Sequence, residues 1–267
     1  MQIGILRTRT WFFKINPTLK FLVIAALFIV YLTVHNLNTM IWSALIFLGF
    51  YLLVSGFGRL FNFWLIILTL VVSLFSGAAM IFFGKGSHLL FQFGLVQIST
   101  ESLARGLMLG IRTFAFSLLS LIFATTTEPV PFFYSLMQQL KVPVRYAYGC
   151  LAAFRMLPLM AEEFLTIRQA MRVRGLAQQK GAKAFYERIK RYCLMMLVQS
   201  IRRAQRTAVA MRAKRFSLSG SRTYFYKIGW SRYDLLFAVS MVLAVAAGFI
   251  LAQVAPLTPF NNVLDQY

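Results

Sequence analysis

The sequence predicts an all-α, polytopic membrane protein, with about five transmembrane helices and a cytoplasmic pair of long helices. Three observations carry that prediction. Of 267 residues, 59% are hydrophobic and 13% charged, whereas a soluble domain averages about 25% charged residues, so most of the surface is not built for water. Five long apolar runs recur along the chain. The charge, a formal net +21, is concentrated: seventeen of the 28 Lys and Arg lie between Arg168 and Arg232, a stretch whose one acid is Glu187. That distribution describes a membrane body with one cationic, water-facing segment. It does not describe a nucleic-acid-binding domain, and no nucleic-acid partner is expected.

The first apolar run is Phe21–Val34, 14 residues. It is short against the ~20 a bilayer needs, so Lys20 and the flanking polar residues are expected to snorkel and extend it. Met40–Ser55 and Leu60–Phe83 follow, then Leu103–Ala124 and finally Leu235–Val254. Arg7 and Arg9 precede apolar sequence, but no small-residue cleavage site follows the first run and no cleavable signal is expected.

Basic residues in the connections set the topology. Arg7, Arg9, Lys14 and Lys20 place the N-terminus in the cytoplasm; His35–Thr39 has no Lys or Arg and falls outside; Arg59 marks an inside turn. Gly84–Ser102 carries only Lys85 and reads as an outside connection, and the segment from Thr125 to Arg232 returns inside. The expected organisation is residues 1–124 as N-terminal membrane helices, 125–232 as a cytoplasmic helical region, and 233–267 as a last span and tail. Within the cytoplasmic region, Val144–Leu176 and Ala184–Ser217 read as long helices that mix apolar and charged residues. Lys180–Ala182, with Gly181, separates them, and Ser217–Ser221, with Gly220, ends the second.

Each long helix closes on a similar basic signature. The first is Ala170-Met171-Arg172-Val173-Arg174-Gly175; the second is Ala210-Met211-Arg212-Ala213-Lys214-Arg215-Phe216. Guanidinium groups hold carboxylates bidentately, and a cation at a helix C-terminus opposes the dipole there. The signatures therefore suit docking into acidic grooves of a soluble partner. Attraction to anionic lipid is the alternative use of the same charges; the repeated wording favours docking. The run Leu194-Met195-Met196-Leu197 suits either an adaptable contact with interchangeable partners or packing on the protein's own spans.

Inside the fourth apolar run, Gly106 and Gly110 form a GxxxG that lets two backbones approach, with packing inside the chain favoured over a dimer. Arg112 falls deep in the bilayer, where an Arg is a functional candidate by default, although Glu101 or a carbonyl would satisfy it. Arg155 has Glu162 and Glu163 two turns on, read as an ion pair that positions the first long helix. The two cysteines and two histidines show no metal-ligand spacing, so no metal or cofactor is expected. Gly84-Lys85-Gly86 lacks the remainder of a phosphate-binding loop. No paired acids or nucleophilic triad appear, and the chain does not read as an enzyme. A self-contained secondary transporter needs acids or broken helices at the midplane, which the spans lack; a lipid-acting enzyme needs an acid- or His-rich interfacial site. A basic, lipid-binding scaffold is the remaining rival.

Several short motifs fall in a telling order: Asn16-Pro17-Thr18-Leu19-Lys20, Thr125-Thr126-Thr127-Glu128-Pro129, Lys141-Val142-Pro143, Phe154-Arg155-Met156-Leu157-Pro158, Glu163, and the two basic signatures. Together they resemble the EcfT/CbiQ family of transmembrane coupling subunits in energy-coupling factor (ECF) importers. The resemblance covers nearly the whole chain, but Asn16 stands for the family's Asp, and Lys214-Arg215 for its Arg-Gly. It implies a non-catalytic subunit of the bacterial or archaeal cytoplasmic membrane, in which the two long helices are coupling helices. It also implies two ATP-binding-cassette ATPase partners, identical or not, and a separate substrate-binding membrane subunit for a vitamin or metal ion. Arg172, Val173, Arg174 and Gly175 would make the first ATPase contact, and Ala213, Lys214 and Arg215 the second. Which of Lys214 and Arg215 is the docking cation stays open at this level.

Overall fold

A computed structural model describes residues 12, 15–84, 89–93, 96–175, 181–216, 224 and 226–258. Arg7, Arg9, Lys14, Lys85, His88, Leu176, Lys180 and the break at Ser217–Ser221 lie outside the described residues. The helices are α1 (Pro17–Thr33), α2 (Leu37–Val54), α3 (Arg59–Phe83), α4 (Thr100–Thr126), α5 (Pro129–Gln139), α6 (Val144–Val173), α7 (Ala182–Ala213) and α8 (Arg232–Val254). The class is all-α. Four of these helices, α2, α3, α4 and α8, are long and apolar enough to cross a membrane. The fifth expected span, α1, has 17 residues, about 26 Å at 1.5 Å per residue, shorter than the ~30 Å hydrocarbon layer.

Two elements depart from the sequence reading. Gly84–Ser102 is not a plain connection: β1 (Leu89–Phe93) and β2 (Val96–Ser99) pair antiparallel within it, with Phe93 opposite Val96. The apolar Leu and Phe residues before Gly94 and the β-branched Val96 and Ile98 after it were the available signal. Between the fourth span and the first long helix lies α5, an element that the apolar runs and basic signatures do not announce. Its Pro129 fits a helix start, where a missing N–H costs no bond.

The chain divides into two compact units, Met1–Ser135 with Ile228–Tyr267, and Leu136–Lys227. In the first, the polarity of burial is inverted along α3, as expected where hydrocarbon is the solvent. The buried residues of α3 are Asn62, Thr69, Ser73 and Gly77, while Trp64, Leu68 and Phe75 face outward. Small residues on α3 and α4 let the two backbones meet, because van der Waals contact must replace the hydrophobic effect between helices in lipid. A Cβ placed on Gly77 would lie 2.9 Å from the Gly106 carbonyl oxygen and 3.4 Å from Gly110 Cα. The GxxxG thus serves packing inside the chain. Ser76 and Thr113 hydroxyls add a hydrogen bond at 3.2 Å. Elsewhere the core is aromatic: Phe12 meets Phe50 and Phe237 edge-on at 5.5 and 5.8 Å, and Tyr31 meets Phe47 at 5.5 Å.

Polar clamps close both ends of this unit. Lys20 does not snorkel; it is buried, and its Nζ donates to the carbonyls of Phe12 (2.6 Å) and Thr126 (3.1 Å). The helix gains length instead from Pro17 in its first turn and from Asn16, whose side chain accepts from the Thr18 N–H at 3.1 Å. Ser135 donates to the same Asn16 oxygen (2.6 Å), and the Asn16 N–H donates to Asp234 (2.7 Å), which also caps α8 through the Ser231 N–H (2.7 Å). At the other end, the Asn38 side-chain Oδ1 accepts from the N–H groups of Leu257 (3.1 Å) and Thr258 (2.9 Å) beyond α8. Arg112 donates to the Val34 carbonyl at 2.7 Å, so the carbonyl alternative describes this arginine.

Candidate functional site

The second unit carries both basic signatures, and their placement begins with helix geometry. Pro143 caps the start of α6, and the helix continues through Pro158, whose ring leaves the Phe154 carbonyl without an N–H from that residue. α7 has no Gly or Pro across its 32 residues and buries none of them. Both helices end about three to four residues before the sequence reading placed them, and the signatures therefore form the caps themselves.

The two caps share one construction. At the end of α6, the Arg174 N–H bonds to Ala170 O at 3.2 Å and the Gly175 N–H to Arg172 O at 3.0 Å. At the end of α7, the Lys214 N–H bonds to Ala210 O at 3.1 Å and the Arg215 N–H to Arg212 O at 2.9 Å. Gly175 and Arg215 are both left-handed, with φ of +70° and +51°. The pattern is the left-handed helix C-cap, in which carbonyls left open by the last turn are satisfied. In the α7 cap the Phe216 N–H completes it by bonding to Met211 O at 3.0 Å. Position by position, then, Lys214 stands where Arg174 stands, and Arg215 stands where the glycine does. Val173, beside Arg174, is 90% exposed.

Side-chain contacts join α6 to α7. Arg203 pairs with Glu163, Phe164 meets Tyr192 at 5.5 Å, and Tyr148 meets Phe216 at 5.5 Å with planes at 77°. Because Tyr148 lies near the start of α6 and Phe216 just past the end of α7, the two helices run in opposite senses. Their basic ends therefore sit at opposite ends of the pair, separated by a helix length on the order of 40 Å.

The expected pairing of Arg155 with Glu162 and Glu163 is not formed. Arg155 and Glu162 are exposed, and Glu163 is held by Arg203 from the other helix. Seven or eight residues span about 11–12 Å of helix, whereas side chains on one helix meet at three or four. No local signal announced the Arg203 partner, nor the two aromatic contacts, since all three join residues far apart in sequence. Much apolar surface stays open: Leu157 and Leu165 on α6, and Leu194, Met195, Leu197 and Val198 on α7, are exposed. Among the described residues, no cluster of three or more His, Cys, Asp or Glu is placed to hold a metal ion.

Residues 8–225 match the family described as cobalt transport protein, CbiQ. Among similar proteins, the energy-coupling factor transporter transmembrane protein EcfT of Limosilactobacillus fermentum is 30% identical over 201 residues, 72% of each chain. The protein of the same name from Macrococcus caseolyticus is 26% identical over 242 residues, 86% of this chain and 89% of that one. Its namesake from Listeria innocua is 25% identical over 260 residues, 90% and 93%.

Proposed function

The chain belongs to the CbiQ/EcfT family and is a transmembrane component of an energy-coupling factor transporter, and on that premise we propose that α6 and α7 carry mechanical work from soluble ATPases to a membrane partner. In this reading the pair faces the cytoplasm, as the positive-inside rule requires of its basic residues. One ATPase receives the end of α6 through Arg174, flanked by Val173 and Gly175. The other receives the end of α7 through Lys214, flanked by Ala213 and Arg215. The ATPases hydrolyse ATP, and this chain contributes no catalytic group. A separate substrate-binding subunit in the membrane meets the open apolar faces of the two helices, and the cargo is a vitamin or a metal ion.

The observation that carries this reading is the pair of similarly capped, cationic helix ends at opposite ends of a clasped helical pair. Two such ends suit two acidic sites about a helix length apart. When ATP closes two motor subunits, the ends move, and α7, without an internal Gly or Pro, passes the displacement along its axis. Exposed leucines and methionines on a 32-residue helix with no buried residue need a covering surface, since contiguous apolar patches mark interaction sites. Adaptable Met and Leu side chains also tolerate more than one partner. The test is affinity purification of the tagged chain from its native host in a mild detergent. Co-purification of P-loop ATPases and a small membrane protein is the expected result; recovery of the chain without any ATPase overturns the proposal.

A further inference from the structure

The two signatures run in parallel and part in charge at one position, Gly175 in the first and Arg215 in the second. Both residues hold the left-handed backbone conformation. Glycine does so freely, whereas any residue with a Cβ is strained there. The α6 cap demonstrates that glycine serves this turn, so the arginine is not there for the turn. Strain at a single residue points to a use for its side chain.

The surroundings of Arg215 agree. On one side the helix holds Lys214 through Ala210 O; on the other, Phe216 is fixed by its N–H to Met211 O and by its ring against Tyr148. The backbone that bears the guanidinium is therefore set before any partner arrives, which lowers the entropy lost on binding. Arg215 is exposed, and the ion pairs of Arg191 with Glu187 and of Arg203 with Glu163 do not involve it. The α7 end thus presents Arg212, Lys214 and Arg215, while the α6 end presents Arg172 and Arg174.

We propose that Arg215 is a partner-selecting cation: the α7 end fits an acidic protein site with one carboxylate more than the site that fits the α6 end. The two ends are then not interchangeable, and the chain seats on its two soluble partners in one orientation. This rests on the docking role proposed above. A guanidinium that gains a carboxylate contributes strongly through paired N–H···O bonds, and one without a carboxylate contributes little.

The experiment uses the full chain in mild detergent with the ATPases that co-purify with it, and measures their retention across a salt series. Arg215→Gly is expected to raise the unfolding temperature, by relieving the turn, yet to weaken retention about tenfold, equivalent to 1.4 kcal/mol. Arg215→Lys is expected to keep most of the retention. The exchange Gly175→Arg with Arg215→Gly, which restores net charge, is expected to bind as poorly as Arg215→Gly alone. Wild-type retention by that exchange overturns the proposal, because only total charge then matters. Unchanged retention by Arg215→Gly, beside its loss in Lys214→Glu, also overturns it while leaving the docking role intact. If neither Arg174→Glu nor Lys214→Glu releases the ATPases, the docking role itself fails. A loss confined to binding of phosphatidylglycerol vesicles would assign Arg215 to lipid, and the proposal would be wrong. Thermal unfolding in the same detergent certifies each variant; if the exchange does not fold, the Gly and Lys variants decide.

Discussion

Lys20 is a cation turned away from water, with its ammonium donating to the carbonyls at Phe12 and Thr126. The second of these carbonyls belongs to the end of α4, where a positive charge also meets the helix dipole. Replacing Lys20 by Met keeps much of the packing and leaves both carbonyls without the ammonium. The expected loss is about 2–3 kcal/mol, the scale of hydrogen bonds from a charged donor, read as a lower unfolding temperature in detergent; an unchanged temperature would show that water reaches those carbonyls. Residues at the basic ends invite a different comparison. Under the docking role, Arg174→Glu should weaken ATPase retention by tenfold or more, since reversing one partner of a close charge pair costs at least about 2 kcal/mol. Lys190→Glu, equal in net charge and in the first third of α7, should change it less than threefold. Equal losses would reduce the site to diffuse electrostatics. Both signatures were legible in the sequence because short cationic repeats stand out against apolar helices. Lys20 was misread because its position at the edge of a short apolar run looks the same whether the side chain reaches outward or inward. Arg155 was misread because two acids on one helix face were in register but out of reach.

At the scale of elements, the junction of α3 and α4 depends on the absence of a side chain. A Cβ on Gly77 meets backbone, the Gly106 carbonyl at 2.9 Å, which cannot turn aside as a side chain can. Gly77→Ala should therefore push α3 from α4 and cost about 1–3 kcal/mol, the usual range for overpacking. Gly49→Ala has nothing within 4 Å of the new Cβ, and should be neutral or stabilise α2 by up to ~1 kcal/mol through helix propensity. Unfolding temperatures of the two variants, side by side, check the argument; equal behaviour would mean that the helices do not meet at Gly77. The spacing Gly106-x-x-x-Gly110 announced a close approach, but not that Gly77 would be its partner, because that choice joins helices. The β-hairpin shows the reverse limit. Its strands are five and four residues long, too short for a period-two pattern to stand out beside apolar spans. Helix α5, at eleven residues, was hidden for a similar reason, since it opens on two prolines directly after a Thr-rich turn.

For the whole molecule, the native thiols offer a direct test of orientation. Cys150 and Cys193 are the chain's only cysteines, and both are exposed on the α6–α7 pair. With this pair in the cytoplasm, a membrane-impermeant maleimide should label the chain in inverted vesicles and not in intact cells. Labelling in intact cells would put the basic helices where no cytosolic motor reaches. Residue order alone carries the class of the molecule, the five apolar helices, the segregation of positive charge and the two repeated signatures. Each of these is written in composition or in short-range period, and the hydrocarbon solvent leaves few alternatives to a helix for an apolar run. The folded chain was needed to show that Lys20 ties α1 to the end of α4, that Glu163 belongs to Arg203, that α6 and α7 run in opposite senses, and that Arg215 takes the left-handed turn that Gly175 takes in the first signature. Those facts join residues distant in the chain, or turn on the sign of one backbone angle, and a linear pattern of residue types encodes neither.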